Sequence, residues 1–392
     1  MRIAFTVIGN SRRGNYLNGH NLRYDNAGGS GTDTSSILVA EYLASQGYEV
    51  VYAFDRLESH LEKQYNENGK TFIPGSQING VTYTYMDFEG IDNREFDILV
   101  NMLWYHDYEK LPIKVTKSII YWSHMQWLYG ATDIVSYSEK NNLSVGVVHI
   151  SEWEKSMTNG VVNTMKNSYS KIKQTTIPNP VMDDILNEVL SNPPKRNPHK
   201  FVFHASWARG GNVAFDAVKK LPFNDKEFHS FDYLMTIPDL KDEFFVKHNS
   251  VDKKTLFNHI AESEYFIYPL YTPYQDVHKD TFSCVVAEAI ALGCIVITYP
   301  LGALPENFND YCVWLDFPPN VDSEKMQLEP LSKDLDGKFI YTDNIIDTIN
   351  KLELNPQIKE KIRETGSKYI IDNFNINKVG GMWDTFIKEL TT

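Results

Sequence analysis

Two carboxylates in this chain have the spacing and setting to do chemistry. Asp280 and Glu288 lie eight positions apart in KDTFSCVVAEAIALGCIVITYPLGALPE, residues 279–306. The stretch reads as loop, helix, strand and loop, with Gly293 closing the helix, since glycine tolerates the positive φ of a C-terminal cap. If every step between the acids were helical, they would lie roughly 12 Å apart along the axis. A small diphosphate-linked molecule has that reach, with one acid near each end. The amides of Thr281, Phe282 and Ser283 would meet its negative charge at the helix N-terminus. An acid pair flanking a helix can equally be a dipole-matched start and a solvated face. The neighbours of Glu288 argue against that: Val285, Val286, Ala287, Ala289, Ile290, Ala291 and Leu292 make a helix apolar almost all round, which should be buried. A buried carboxylate requires a hydrogen-bonded partner or a ligand.

Further candidates follow short apolar runs. Residues 118–127, SIIYWSHMQW, read as a strand, a small polar residue and His124. Ligands of open α/β sheets bind outside the carboxyl ends of strands, where His124 falls; the alternative is a structural histidine packed between Trp122 and Trp127. His106, in WYHDY after the strand at 96–101, is a candidate for acceptor contact. In SWARGG, residues 206–211, Arg209 and Gly210 form a turn into a helix. An arginine there suits a bidentate grip on phosphate, or is a surface charge in a turn. The loop 9–31 ends in Gly28, Gly29, Ser30 and Gly31, which either let backbone approach a ligand or only turn the chain into the next helix. Arg12, Arg13 and Arg23 are solvated loop charges or contacts to a phosphate or acceptor.

The elements that must hold these residues alternate strand and helix. A strand at 2–8, a helix at about 32–46 capped by Gly47 and a strand at 48–54 form a βαβ opening. A nicotinamide-binding reading fails on spacing. The dinucleotide fingerprint needs a tight glycine turn directly after the first strand, whereas some twenty residues intervene here. Asp55 alone imitates its ribose-binding acid. A strand at 145–151, a helix at 152–163 and residues 176–181 complete a first domain over 1–185. SNPPKRNPHK, residues 191–200, has the proline and charge of a linker. A second domain over 198–373 follows, with strands expected at 200–205, 231–236 and 265–270 and helices at 212–221 and 252–262. The tail, 344–352 and 356–388, is mostly helical.

At 392 residues the chain exceeds one ordinary core, so two domains are expected. Its net charge of −13 disfavours non-specific nucleic-acid binding and a polybasic hold on membranes. Three cysteines without a CxxC pattern make a disulfide framework or zinc site unexpected and suit a reducing cytosol. The N-terminus MRIAFTVIGN reads as a strand rather than a signal peptide. No stretch approaches the ~18 apolar residues of a membrane helix. No ligand cluster with metal-site spacing is visible, so no metal is expected, and the location expected is cytoplasmic.

A carboxylate, seven residues, then Glu, followed by Ala and a Gly before a Val/Ile strand, resembles the C-terminal signature of retaining GT-B glycosyltransferases, best their large fourth family, the glycosyl transferases group 1. Tyr268-Pro-Leu270, LGALPE at 301–306 and Ile177-Pro178-Asn179 match that family's order. The resemblance covers most of the chain, strongest from about 200 to 306. It implies the GT-B fold, an α/β architecture of two doubly wound Rossmann-like domains facing across a cleft. The final helix, about 374–392, would cross back onto the first, acceptor-side domain, and the second would bind the donor. It implies that Glu288 holds the ribose, that Asp280 and His124 lie against the donor sugar, and that Arg209 with Gly210 meets the diphosphate. Gly29, Ser30 and Gly31 would approach the donor, and residues 237–239 would lie near the base. Asp280 departs from the usual Glu, and His204 stands where many members carry a second cation. The implied reaction moves a sugar from a nucleotide diphosphate to an acceptor hydroxyl with retention and without a metal. The acceptor would be a carbohydrate, a lipid-linked glycan or a small molecule, and peripheral membrane contact is compatible. A nucleotide-sugar epimerase or hydrolase, or a non-catalytic binding relic, would share the fold.

Overall fold

The computed structural model describes residues 1–7, 16–25, 29–57, 59, 72–102, 108–125, 128, 130–231, 237–270, 279–316 and 340–392. They divide into two compact units, one of Met1–Met182 with Phe374–Thr392 and one of Asp183–Asn373.

The first unit is built on eight strands: β1 (Arg2–Val7), β2 (Glu49–Phe54), β3 (Ser76–Ile78), β4 (Val81–Tyr85), β5 (Glu95–Met102), β6 (Lys114–Ser123), β7 (Ser144–His149) and β8 (Ile172–Thr176). Their order is β3-β4-β2-β1-β5-β6-β7-β8. Every pairing is parallel except the β3–β4 ribbon. The runs AFTV, VVYAF, IIYW and VGVV are largely apolar on both faces because helices cover both sides of such a sheet, and these runs are buried throughout. Helix Gly31–Ser45 follows β1. The last helix, Ile376–Thr391, packs on it and on the sheet. A Cβ at Gly380 would lie 2.3 Å from the Tyr42 ring, and one at Gly146 would lie 2.9 Å from Leu390, so both glycines permit close approach. Trp383 meets Trp122 edge-on at 4.4 Å between centroids, and Tyr48 donates to Asp384 at 2.6 Å.

The second unit carries β9 (Asn197–His204), β10 (Glu227–Phe231), β11 (Phe245–His248), β12 (Ser263–Tyr268), β13 (Ile295–Thr298) and β14 (Cys312–Trp314), all parallel in the order β11-β10-β9-β12-β13-β14. The division between units falls after Met182, earlier than the proline-rich stretch. Helix Asp183–Ser191 buries Ile185, Leu186 and Val189, packs on helix Lys253–Glu262 and is tied to it by the Glu188–Lys254 ion pair at 2.5 Å. The stretch 191–200 is no free linker either. Asn197 opens β9, and Arg196 donates to Leu292 O at 2.9 Å.

The strand expected at 231–236 instead runs from Glu227 to Phe231, and residues 232–236 lie outside the described set. The alternation of Glu227, Phe228, His229 and Ser230 hid it from a search for an apolar run. Four-residue β11, equally polar, was not expected at all.

Candidate active site

In the second sheet the order reverses between β9 and β12: β10 and β11 lie to one side, β13 and β14 to the other. Ligands of such sheets bind outside the carboxyl ends of the strands at this switch. The segments leaving β9 and β12 bring Arg209 and Asp280 together there. Arg209 ends a 3-10 turn, Trp207–Arg209, and its amide donates to Ser206 O at 2.8 Å. Gly210 follows with φ +107°, and a Cβ there would be 3.0 Å from Pro269. Only glycine adopts that backbone without strain and also fits the gap.

Arg209 Nη1 forms a short ion pair with Asp280 Oδ1 and donates to Tyr268 Oη at 2.9 Å. Tyr268, the last residue of β12, donates in turn to Asp280 Oδ2 at 2.7 Å. Asp280 is 7% exposed and Arg209 34%. The neighbouring Tyr268 oxygen and the Asp280 carboxylate hold the guanidinium firmly charged. Burial, reinforced by Asp280, pushes the Tyr268 phenol well above its ordinary range, so it remains a donor. The Asp280 backbone is pinned as well: Ala303 N donates to its carbonyl at 2.9 Å, and Gly302, at φ +60°, leaves that carbonyl the room a Cβ would take at 2.4 Å. The LGALPE loop thus buttresses the acid.

The helix does not begin at residue 281. It spans Cys284–Ala291, preceded by Ser283 at φ +73°, a left-handed conformation that a non-glycine residue seldom takes. Thr281, Phe282 and Ser283 form the bend before it, and the axial spacing expected for eight helical steps is therefore not realised. Phe282 is buried against Phe308 at 5.7 Å. The Ser283 hydroxyl is buried with no hydrogen-bond partner among the described residues.

Glu288 is 1% exposed, as its apolar neighbours required. Its Oε1 accepts from Lys253 Nζ at 2.8 Å, and Lys253 is the first residue of helix Lys253–Glu262, capped by Asp252. Among the described residues nothing partners Oε2. A buried carboxylate oxygen left open is costly unless a ligand supplies a donor. Lys253 was missed in the sequence because 35 positions separate it from Glu288 and no local pattern links them. His204 Nδ1 lies 3.4 Å from Phe231 O. Burial, then the Lys253 charge, lowers its pKa to about 3. His204 is therefore neutral, and Lys253 is a cation close enough to depress it.

The remaining candidates belong to the first unit. His124 Nδ1 is 3.5 Å from Thr32 Oγ1, and its ring lies 4.9 Å from Trp122. Burial lowers its pKa to about 3. The structure thus brings His124 beside the Gly29-Ser30-Gly31 turn, where helix Gly31–Ser45 begins. Ser30 is the N-cap in a reciprocal capping box: its amide donates to Asp33 Oδ2 at 2.8 Å and its Oγ accepts from Asp33 N at 3.3 Å. Helix entry accounts for Ser30, and a Cβ at Gly29 would meet Leu22 at 2.7 Å. Arg23 is neither solvated nor poised for phosphate; it is buried and paired with Glu41 at 2.8 Å. Gly28, Arg12, Arg13, His106 and Trp127 lie outside the described residues. One buried acid was overlooked: Glu154 accepts from Ser123 at 2.6 Å and meets His149 Nδ1 at 3.1 Å, anchoring the end of β6 immediately before His124.

Sequence spacing also concealed a cluster of metal-ligand type. One ring nitrogen from each of His229, His248 and His259 lies within 4.8 Å of the others, although the residues come from β10, β11 and helix Lys253–Glu262. Cys284, Cys294 and Cys312 are buried thiols. Among the described residues no helix is long and apolar enough to cross a membrane.

No protein-family model matches the chain, and no curated protein matches it in sequence. Solved structures do. The chain is similar to sucrose-phosphate synthase from Thermosynechococcus elongatus (TM-score 0.59, 11% identity, 99% of this chain and 98% of that one). It is similar to Anabaena Alr3699/HepE in complex with UDP-glucose (0.57, 12%, 99% and 100%). A third likeness is to an alpha-glucosyltransferase in complex with UDP-glucose and DNA containing an abasic site (0.57, 12%, 100% and 100%). Over its whole length, then, the chain has the fold of the GT-B glycosyltransferases.

Proposed function

We propose that the chain is a retaining glycosyltransferase of the fourth-family type, moving a hexose from a nucleotide diphosphate sugar to an acceptor hydroxyl. The observation that carries this reading is Glu288: a fully buried carboxylate with one oxygen on Lys253 and the other open among the described residues. A ribose hydroxyl is the donor that such an oxygen lacks. Arg209, charged and a third exposed beside Gly210, is suited to the diphosphate, and Lys253 supports it in place of the cation absent at His204. UDP-glucose, bound by two of the similar structures, is the donor class to test first.

Departure of the diphosphate breaks the bond from anomeric carbon to phosphate oxygen, and the acceptor oxygen bonds to that carbon on the same face. The acceptor proton passes to the leaving phosphate oxygen. Arg209 offsets the charge gathering on that oxygen, an electrostatic role that requires no metal. The Tyr268 and Arg209 bonds hold Asp280 toward the donor sugar as a fixed carboxylate, and His124, neutral, serves as a hydrogen-bonding group on the acceptor-side unit. The net charge of −13 favours a carbohydrate or glycoconjugate acceptor over nucleic acid, with a cytoplasmic setting and at most peripheral membrane contact. One observation favours the rival reading of a binding relic: Asp280 is closed on Arg209 and Tyr268.

A turnover screen tests this. Purified protein is offered UDP-, GDP-, ADP- and dTDP-sugars, and nucleotide diphosphate release is read for the wild type, Glu288→Ala and Asp280→Ala. Slow release abolished by both substitutions supports the transferase and names the donor. Release of a changed or free sugar at full speed without acceptor would mean an epimerase or hydrolase. No release, with nucleotide binding that survives Glu288→Ala, would overturn the site.

A further inference from the structure

We propose that His229, His248 and His259 form a binding site for a borderline first-row divalent ion, zinc or a close relative, separate from the groups assigned to sugar transfer. One nitrogen from each ring lies within 4.8 Å of the others, a span that small rotations about the side chains close onto a single ion. His229 is centred on β10, His248 ends β11, and His259 projects from the helix that covers them.

The hydrogen bonds show how each ring would serve. His229 Nε2 lies 3.0 Å from Glu227 Oε2. An ionised carboxylate only accepts, so Nε2 carries the proton and Nδ1 presents its lone pair. A carboxylate behind a histidine is the outer-shell arrangement that orients metal ligands and raises their basicity. His229 Nδ1 is 2.9 Å from His248 Nε2, so His248 currently donates to it. A proton shift to Nδ1 of His248 would leave two lone pairs converging on one point. The His248 ring is fixed by stacking on Phe231 at 4.1 Å.

The opposing group is Lys200, whose Nζ donates to His259 Nδ1 at 3.2 Å. Whichever nitrogen of His259 binds the ion, this bond must open. Glu262, already in a short ion pair with Lys200, receives the displaced ammonium. Lys200 therefore weakens the site without blocking it. Three imidazoles without a carboxylate ligand suit zinc, cobalt, nickel or copper rather than magnesium or calcium, and they leave a fourth position open. The bound ion would tie edge strand β11 and its neighbour β10 to the helix whose first residue holds Glu288.

The test uses untagged, chelator-treated full chain. Zinc is titrated by calorimetry and cobalt by visible absorption in the wild type, His248→Ala, His259→Ala and Lys200→Met. One ion per chain is expected, with a four-coordinate cobalt spectrum. Affinity should fall at least about tenfold in either histidine variant. It should rise about tenfold in Lys200→Met, which removes the competing charge. If the histidine variants fail to fold, the wild-type spectrum and Lys200→Met still decide. Absence of saturable binding in the wild type, binding unchanged in the histidine variants, or no gain in Lys200→Met would overturn the site.

Discussion

Glu154 in the first unit and Glu288 in the second are both buried glutamates, and the two differ in what they lack. Glu154 in the first unit is wholly buried. Its Oε1 accepts from Ser123, while Oε2 meets His149 and the Ile150 amide at 3.1 and 3.3 Å. Glu288 in the second unit is equally hidden, but among the described residues only Oε1 is engaged. A carboxylate satisfied on both sides has finished its work in the fold, and its desolvation is offset by internal bonds. A carboxylate satisfied on one side carries an uncompensated buried acceptor, which the proposed ribose contact would fill. Burial is the same for these two glutamates; the filled acceptor positions among the described residues are what differ.

The largest expected effect breaks this pair apart. Glu154→Ala strips partners from Ser123 and His149 and should cost about 3–5 kcal/mol of stability, read from chemical denaturation. Glu288→Gln keeps an oxygen for Lys253, so its stability cost should be about 1 kcal/mol, while nucleotide affinity drops by roughly 10–100-fold as an ionic acceptor for a ligand hydroxyl is lost. If Glu288→Gln destabilises as severely as Glu154→Ala and binding is untouched, the contrast fails.

Acid sharpens the comparison next. His124 in the first unit and His204 in the second are both pushed down to about 3 by burial, the Lys253 charge adding to the effect on His204. Above the unfolded value of about 6.5 neither state takes a proton, and neither residue affects stability. As pH falls below that value the unfolded chain is protonated first, so stability is lost, by about 2 kcal/mol per residue at pH 5. His124→Gln and His204→Gln should each recover that amount of acid tolerance, measured as the pH dependence of unfolding free energy. The smallest effect concerns the turn beside His124. Ser30→Ala removes an N-cap and should cost about 1 kcal/mol; a cost near zero would mean that the capping box contributes nothing and that Ser30 is available for another role.

Much of the second unit was legible in the chain. The strand at Ile295–Thr298, the Asp252-capped helix, the burial of Glu288 and the glycine beside Arg209 follow from apolar runs, cap residues and turn chemistry, all short-range. The strand at Glu227–Phe231 was misplaced because its histidine and glutamate break the apolar pattern, and those residues are there to meet partners elsewhere. The helix start at Cys284 was missed because a left-handed serine carries no compositional mark. Neither sequence reading of Arg23, as a solvated loop charge or as a phosphate or acceptor contact, reaches its ion pair, because Glu41 lies eighteen positions on.

By itself the sequence determined the alternation of strand and helix, the two-unit architecture and the burial of Glu288, since side-chain periodicity and backbone sterics act over a few residues. Only the tertiary structure decided which groups meet: Lys253 with Glu288, Tyr268 and Arg209 with Asp280, and His229, His248 and His259 with one another. In parallel sheets every neighbouring strand is a crossover away, so site partners are set by register and strand order, which no local pattern encodes.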